Sequence, residues 1–222
     1  MKHKQTISCK AVIFDMDGVI TDTMPCHYQA WSQVFKSAGL SVTRLDVYKR
    51  EGQKGIVSIL GMCKDKKISM TRRQAQYLLS KKEHLFKKIF KKKFVLGSRS
   101  FVKNLNKEGF RLALVTGTSF HEVEKILPKR LRSLFEVVIT GCDVRHGKPH
   151  PEPFRKALKH LRLDAEDAIV IENAPLGILS AKRALLRCFA LQTSLPRDYL
   201  NAADRVFLSY KELINNINFS RE

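Results

Sequence analysis

The run Ala11-Val12-Ile13-Phe14 has no polar alternation and leads straight into Asp15-Met16-Asp17-Gly18. An uninterrupted apolar run of this length fits a strand covered on both faces, the condition of a parallel sheet packed between helices. Such sheets bind ligands outside the carboxyl ends of their strands. Asp15 and Asp17 therefore stand where a ligand would arrive, at the point where the strand gives way to a turn at Gly18. Two carboxylates this close are costly unless a cation or a shared proton separates them. One can face an electrophile while the other reaches a leaving group, an arrangement suited to phosphoryl transfer.

Downstream, apolar runs and helical patterns alternate. The spacing predicts helices over 98–108, 119–126, 151–161 and 175–186, with strands over 111–116, 136–140, 167–172 and 188–191. A short strand near Arg205-Val206-Phe207 and a last helix follow. Strands and helices joined by short loops indicate an α/β fold with a doubly wound parallel sheet. Residues 22–96 interrupt this alternation with helical periodicity over 27–38, 57–62 and 71–90 and almost no strand signal. They read as an inserted α-helical cap lying over the catalytic edge of a core built from 1–21 and 97–222.

At 222 residues with 44% apolar content, the chain suffices for one sizeable domain plus an insertion. No run of 18 apolar residues occurs, and the start has no hydrophobic stretch long enough for a secretory signal. The expectation is a cytoplasmic monomer without membrane insertion. Five cysteines without a CxxC pair fit neither a disulfide framework nor a zinc site, and are expected as free thiols. The net charge of +20 is unevenly spread: residues 22–96 carry 17 Lys and Arg against 5 Asp and Glu. A basic surface of this kind raises the local concentration of phosphates and other anions.

Seven lysines surround Leu85, Phe86, Ile89 and Phe90 in the stretch 81–94. Three readings compete for it: a cap helix with its apolar stripe buried and lysines snorkelling, an interfacial membrane helix, or a nucleic-acid face. No DNA- or RNA-binding motif accompanies it, so no specific nucleic-acid partner is expected.

Four motifs lie in order along the chain: Asp15 to Thr23 (DMDGVITDT), Leu114-Val115-Thr116-Gly117, Gly147-Lys148-Pro149-His150-Pro151-Glu152-Pro153, and Val170-Ile171-Glu172-Asn173. Together they resemble the haloacid dehalogenase superfamily of phosphotransferases. The stretch Asp15 to Trp31 is similar to the subgroup of β-phosphoglucomutases and small sugar-phosphate phosphatases. The resemblance implies a Mg²⁺-dependent phosphatase of small phosphorylated metabolites, sugar or polyol phosphates. A phosphosugar mutase is the alternative, and a binding or regulatory protein on a weakened scaffold is a third.

By that resemblance Asp15 is the nucleophile of an aspartyl-phosphate, and Asp17 the acid/base, with a pKa nearer neutrality than a free Asp. Mg²⁺ is expected on the Asp15 carboxylate and the Asp17 backbone carbonyl. Thr116 and Gly117 would bind phosphoryl oxygens, and Lys148 would neutralise their charge. Most relatives place two acids in the fourth motif, whereas this chain has Glu172-Asn173. Asn173 can offer Mg²⁺ a neutral amide oxygen, and Glu172 can supply charge directly or through water. His146 and His150 read as exposed bystanders, since nothing pairs them at ligand spacing.

Thr23 and His27 match residues that govern cap closure and proton transfer in the mutases, although His27 reads equally well as a packed helix residue. Arg50-Glu51-Gly52-Gln53-Lys54-Gly55 resembles the substrate-specificity loop of the cap, with Arg50, Gln53 and Lys54 as candidate substrate contacts. The arginine with which the mutases grip a second phosphate is absent. Lys54 or Arg50 would have to replace it.

Overall fold

The computed structural model describes residues 4–221. Two strands, β1 (Gln5–Ser8) and β2 (Ala11–Phe14), precede four helices, α1 (Met24–Ser37), α2 (Arg44–Tyr48), α3 (Gly55–Asp65) and α4 (Arg72–Ile89). Then follow α5 (Ser98–Lys107), β3 (Arg111–Val115), α6 (Phe120–Ile126), α7 (Lys129–Arg132), β4 (Val137–Ile139) and α8 (Glu152–Leu161). The chain continues through β5 (Ala168–Glu172), α9 (Pro175–Arg183), β6 (Arg187–Leu191), β7 (Arg205–Phe207), α10 (Tyr210–Asn216) and β8 (Ile217–Ser220).

Six strands form one parallel sheet in the order β4-β3-β2-β5-β6-β7. The chain moves outward from β2 through β3 to β4, then returns to β5 on the other side of β2. This reversal opens a crevice at the carboxyl end of β2. Phe14 is in register with Leu114 and with Ile171, so Asp15, Thr116 and Glu172 emerge together at the sheet edge.

The apolar run of β2 is divided between two cores. Val12 and Phe14 pack with Phe101, Leu105 and Leu112, whereas Ala11 and Ile13 pack with Phe154, Ala157 and Ile178 on the opposite face. Phe14 meets the Phe101 and Phe135 rings edge-on at 6.1 and 6.0 Å. Both faces are thus covered, as the missing alternation requires.

Helices α1 to α4 enclose a third cluster, including Trp31, Phe35, Ile59, Met62 and Leu78. The two connections to this bundle run side by side: Asp22 N–H donates to Lys93 O at 2.9 Å and Val95 N–H to Ile20 O at 3.1 Å. In α4 the buried positions are Ala75, Leu78, Lys82 and Phe86, spaced three and four apart. Helix α4 divides its apolar face: Ala75 and Leu78 pack within the bundle, whereas Phe86, with Leu85, Ile89 and Phe90, packs against the cluster of the sheet. The stripe of the lysine-rich stretch is thus buried, but not in its own bundle alone, and Lys82 is buried between the two and does not snorkel. Among the described residues no helix is long and apolar enough to cross a membrane.

Several boundaries differ from the sequence reading. Helix α1 starts at Met24, three residues before the expected 27, with Pro25 in its first turn, where a missing N–H costs nothing. Helix α9 stops at Arg183 because Leu185 takes a left-handed φ of 65°. The short helices α2 and α7 went unread. So did β1 and β8, which form a separate two-stranded parallel sheet. The burial of β1, exposed at three of its four positions, leaves no apolar run to detect.

Replacing Phe14 with Ala removes a fully buried ring at the centre of this packing and is expected to cost about 3–5 kcal/mol. A urea melt of Phe14→Ala against wild type measures it; a midpoint unchanged from wild type would show that β2 does not anchor the core.

Candidate active site

The carboxyl ends of β2, β3 and β5 converge on one buried ammonium. Lys148 Nζ donates to Asp15 Oδ1 at 2.6 Å, Glu172 Oε1 at 2.6 Å and Val115 O at 3.1 Å. The loop that delivers Lys148 is braced from both sides. Glu152 accepts the backbone N–H groups of Arg145 and His146 at 2.6 and 2.8 Å, and Ser180 Oγ donates to His150 O at 2.6 Å. His146 and His150 are exposed, as read. They do meet Glu152, however, with one ligand atom from each of the three within 4.8 Å of the others, a proximity that sequence spacing missed because Glu152 lies on α8.

Burial pushes the Asp15 carboxyl up to about 8; the Lys148 ammonium works against that rise, while Glu172 and Asp17 reinforce it. Burial also opposes the charge on Lys148, but Asp15 and Glu172 outweigh it and hold the ammonium above the ordinary lysine range. Glu172 commits both oxygens internally: Oε1 to Lys148, and Oε2 to the N–H groups of Asn173 and Ala174 at 2.8 and 3.0 Å. It braces Lys148, and its Oε1 keeps a second lone pair. Gly177 makes room for it, since a Cβ there would lie 1.6 Å from Glu172 Oε1.

Asp17 is gripped by three side chains. Thr23 Oγ1 donates to its Oδ1, Thr118 Oγ1 donates to Oδ2 at 3.1 Å, and His27 Nε2 lies 3.4 Å from Oδ1. Behind His27, Lys82 Nζ sits 3.0 Å from Nδ1, and Phe86 stacks on the imidazole at 4.2 Å. Burial and Lys82 push the His27 pKa down, which keeps the ring neutral, with Nδ1 accepting and Nε2–H donating. The expectation of an Asp17 pKa nearer neutrality is not met. Burial would raise it, but His27, Thr23 and Thr118 together hold it below the usual carboxylate value.

Thr116 is buried at the end of β3, and its hydroxyl accepts the Thr118 N–H at 3.1 Å. Gly117 packs against the cap loop, where a Cβ would stand 2.7 Å from Gly52 O. Asn173 Nδ2 donates to Ser194 Oγ at 2.9 Å and to Glu51 Oε2 at 3.2 Å. Among the described residues, three buried oxygens here have no hydrogen-bond partner: Asp15 Oδ2, Glu51 Oε1 and Asn173 Oδ1.

Beside Asp17 lies a cavity of about 290 Å³, walled by His27, Trp31, Glu51, Gln53, Lys82 and other residues of cap and core. Arg50 and Lys54 also line it, but both are engaged. Arg50 pairs with Asp65 at 2.5 Å, and Lys54 Nζ donates to Val144 O at 2.6 Å. Gln53 Oε1 accepts from Ser58 Oγ at 3.5 Å. Gly52 of this loop packs on Lys148 and Gly117, and Asp15 is only 2% exposed and Asp17 only 7%. Neither acid is solvent-facing.

Sequence reasoning gave no role to Thr118, Lys82, Glu51 or Ser194. For Lys82 a signal existed: a lysine at an apolar register position, four residues from both Leu78 and Phe86. Ser194 and Thr118 meet their partners only through the fold.

The haloacid dehalogenase-like hydrolase family matches residues 12–191. A phosphorylated carbohydrates phosphatase of Thermotoga maritima is 31% identical over 182 residues, covering 79% of this chain and 81% of that protein. A β-phosphoglucomutase of Bacillus subtilis is 29% identical, covering 79% of this chain and 80% of its own. The crystal structure of CbbY from Rhodobacter sphaeroides in complex with phosphate superposes with a TM-score of 0.77 at 26% identity. It covers 92% of this chain and 96% of that one.

Replacing Lys148 with Met strands two buried carboxylates, and the expected loss of stability is about 3–5 kcal/mol. Thermal unfolding of the purified variant checks this. A melting temperature equal to wild type would mean that Asp15 and Glu172 do not depend on the ammonium.

Proposed function

The chain belongs to the haloacid dehalogenase-like hydrolase family, and on that premise we propose a Mg²⁺-dependent phosphatase of small phosphorylated metabolites, sugar or polyol phosphates. Residues 22–96 act as the cap, which covers the site and must withdraw its loop to admit substrate. The names of the relatives support hydrolysis of phosphorylated carbohydrates.

One observation favours hydrolysis over a mutase: the loop from Arg50 to Lys54 presents no free guanidinium to a second phosphate, its one arginine being paired with Asp65. Lys54 and Lys82 also line the cavity, but Lys54 turns to Val144 O and Lys82 to His27, and neither has the planar fork that grips a phosphate bidentately. A mutase must hold a doubly phosphorylated intermediate while it turns over, which needs a free cation for the distal phosphate. A phosphatase needs only to admit water.

In this reading Asp15 attacks phosphorus, the P–O bond to the substrate alkoxide breaks, and water then hydrolyses the aspartyl-phosphate. Asp17, held ionised by Thr23, His27 and Thr118, takes a proton from the attacking water as base. It can give one to the leaving oxygen only in a state where one of these donors has moved away. The Thr116 hydroxyl, the Gly117 N–H and Lys148 receive the phosphoryl oxygens, and Glu172 keeps Lys148 in place. The residues fit a divalent cation, because Asp15 Oδ2 and Asn173 Oδ1 are buried without partners beside an excess of carboxylates. Asp15, the Asp17 carbonyl and Asn173 would hold Mg²⁺, which when bound neutralises phosphoryl charge. The basic outer surface of the cap draws anionic substrate without specific nucleic-acid recognition.

Asp15→Asn is expected to lower phosphate release from a panel of sugar and polyol phosphates by at least about a thousandfold. Wild-type-like rates in that variant would remove Asp15 as nucleophile. With β-glucose 1-phosphate and a catalytic amount of glucose 1,6-bisphosphate, the wild-type protein is expected to release inorganic phosphate faster than it forms glucose 6-phosphate. The reverse ratio would replace the phosphatase reading with the mutase.

A further inference from the structure

Two departures from the sequence pattern of the resembling subgroup meet in space. The core has a neutral Asn173 where most relatives place an acid, and the cap loop carries an acid, Glu51, beside it. Asn173 Nδ2 donates to Glu51 Oε2 at 3.2 Å across the boundary between cap and core. Glu51 is only 8% exposed. Its sequence neighbours offer no compensation, since Arg50 turns to Asp65 and Lys54 to Val144 O.

A buried carboxylate without a cation is costly. The cost here is collective: Asp15, Asp17, Glu51 and Glu172 crowd together, and the ammonium within their hydrogen-bond network is that of Lys148. The unpartnered oxygens come from three segments, Asp15 Oδ2 after β2, Asn173 Oδ1 after β5 and Glu51 Oε1 from the cap. Oxygen donors and surplus negative charge are the requirements of a hard divalent cation.

We propose that Glu51 supplies, from the cap, the negative charge toward the cation that Asn173 withholds in the core. This rests on reading the site as a divalent-cation site. Its consequence is a coupling: with the cap loop withdrawn, the cation loses a carboxylate, and with the cation absent, the closed loop buries an uncompensated charge. Cation binding and cap closure therefore favour each other, and by equal amounts. The close packing of Gly52 on Lys148, where a Cβ would lie 2.6 Å from Lys148 Cδ, and of Gly117 on Gly52 makes loop closure a defined position.

The test uses MgCl₂ alone, without substrate, in calorimetric titrations of the full chain. Emission of Trp31, the single tryptophan, is followed in parallel, since it lies in the cap and lines the cavity. Glu51→Gln keeps the shape and removes the charge, and circular dichroism verifies its fold. Its Mg²⁺ affinity is expected to fall by about tenfold or more. Adding Asn173→Asp to Glu51→Gln is expected to restore affinity, because the charge returns to the end of β5. The Trp31 response to Mg²⁺ should remain lost in that double variant, because the cap no longer contributes. Unchanged affinity in Glu51→Gln, or no rescue by Asn173→Asp, overturns the proposal while leaving Mg²⁺-dependent phosphate release by the wild type as it stands. A wild-type protein that binds no Mg²⁺ and releases no phosphate overturns the cation site and the phosphatase reading together.

Discussion

The Lys148 ammonium, sealed between Asp15 and Glu172, is the contact on which the rest of the site depends. An ion pair at this depth repays its desolvation only with good geometry and with the remaining lone pairs satisfied. The fold meets both conditions by unrelated means. Parallel register brings Asp15 and Glu172 out side by side, two backbone N–H groups cap the far oxygen of Glu172, and Glu152 and Ser180 hold the loop that carries the lysine. Gly177 removes the side chain that would otherwise displace Glu172. What stays unsatisfied, Asp15 Oδ2, faces the position where chemistry is expected.

A second electrostatic line crosses from core to cap. Asp17 is tied through His27 to Lys82 on α4, and Asn173 is tied to Glu51 on the cap loop. Both contacts place a cap residue against a core residue whose charge or hydrogen bonding matters. The cap is therefore an electrostatic part of the site as well as its cover. Any displacement of α1, which carries His27, removes a donor from Asp17 and changes its affinity for a proton.

Much of the core was legible because it is local. An apolar run ending in acids, a hydroxyl after Leu114-Val115, and a lysine set between Gly147 and Pro149 each belong to one strand end, and parallel register assembles strand ends without further information. The Asp17 pKa was misread because its three donors, Thr23, His27 and Thr118, come from two separate segments and act together only in the fold. Lys82 was lost among the exposed lysines of its stretch, although its register with Ala75, Leu78 and Phe86 marks it as buried. Arg50 and Lys54 stood in the right loop, yet their commitments to Asp65 and Val144 O are long-range and invisible to spacing. β1 and β8 are four residues each, too short to carry a periodic signal, and β1 is exposed at three of its positions.

The charge of the molecule is arranged on two levels, and this bears on what the cavity can accept. Outside, residues 22–96 carry 17 Lys and Arg against 5 Asp and Glu, with Lys87, Lys88, Lys91, Lys92 and Lys93 exposed, a field that concentrates anions near the cap. Inside, Arg50, Lys54 and Lys82 share the cavity wall with Glu51, Glu83 and Glu122. Arg50 alone among these bases meets a carboxylate; Lys54 and Lys82 meet a carbonyl oxygen and an imidazole, which leave their positive charge unneutralised. The cavity thus sets carboxylates and unneutralised ammonium groups side by side, so that it discriminates by where charge sits on what enters and not by net charge alone.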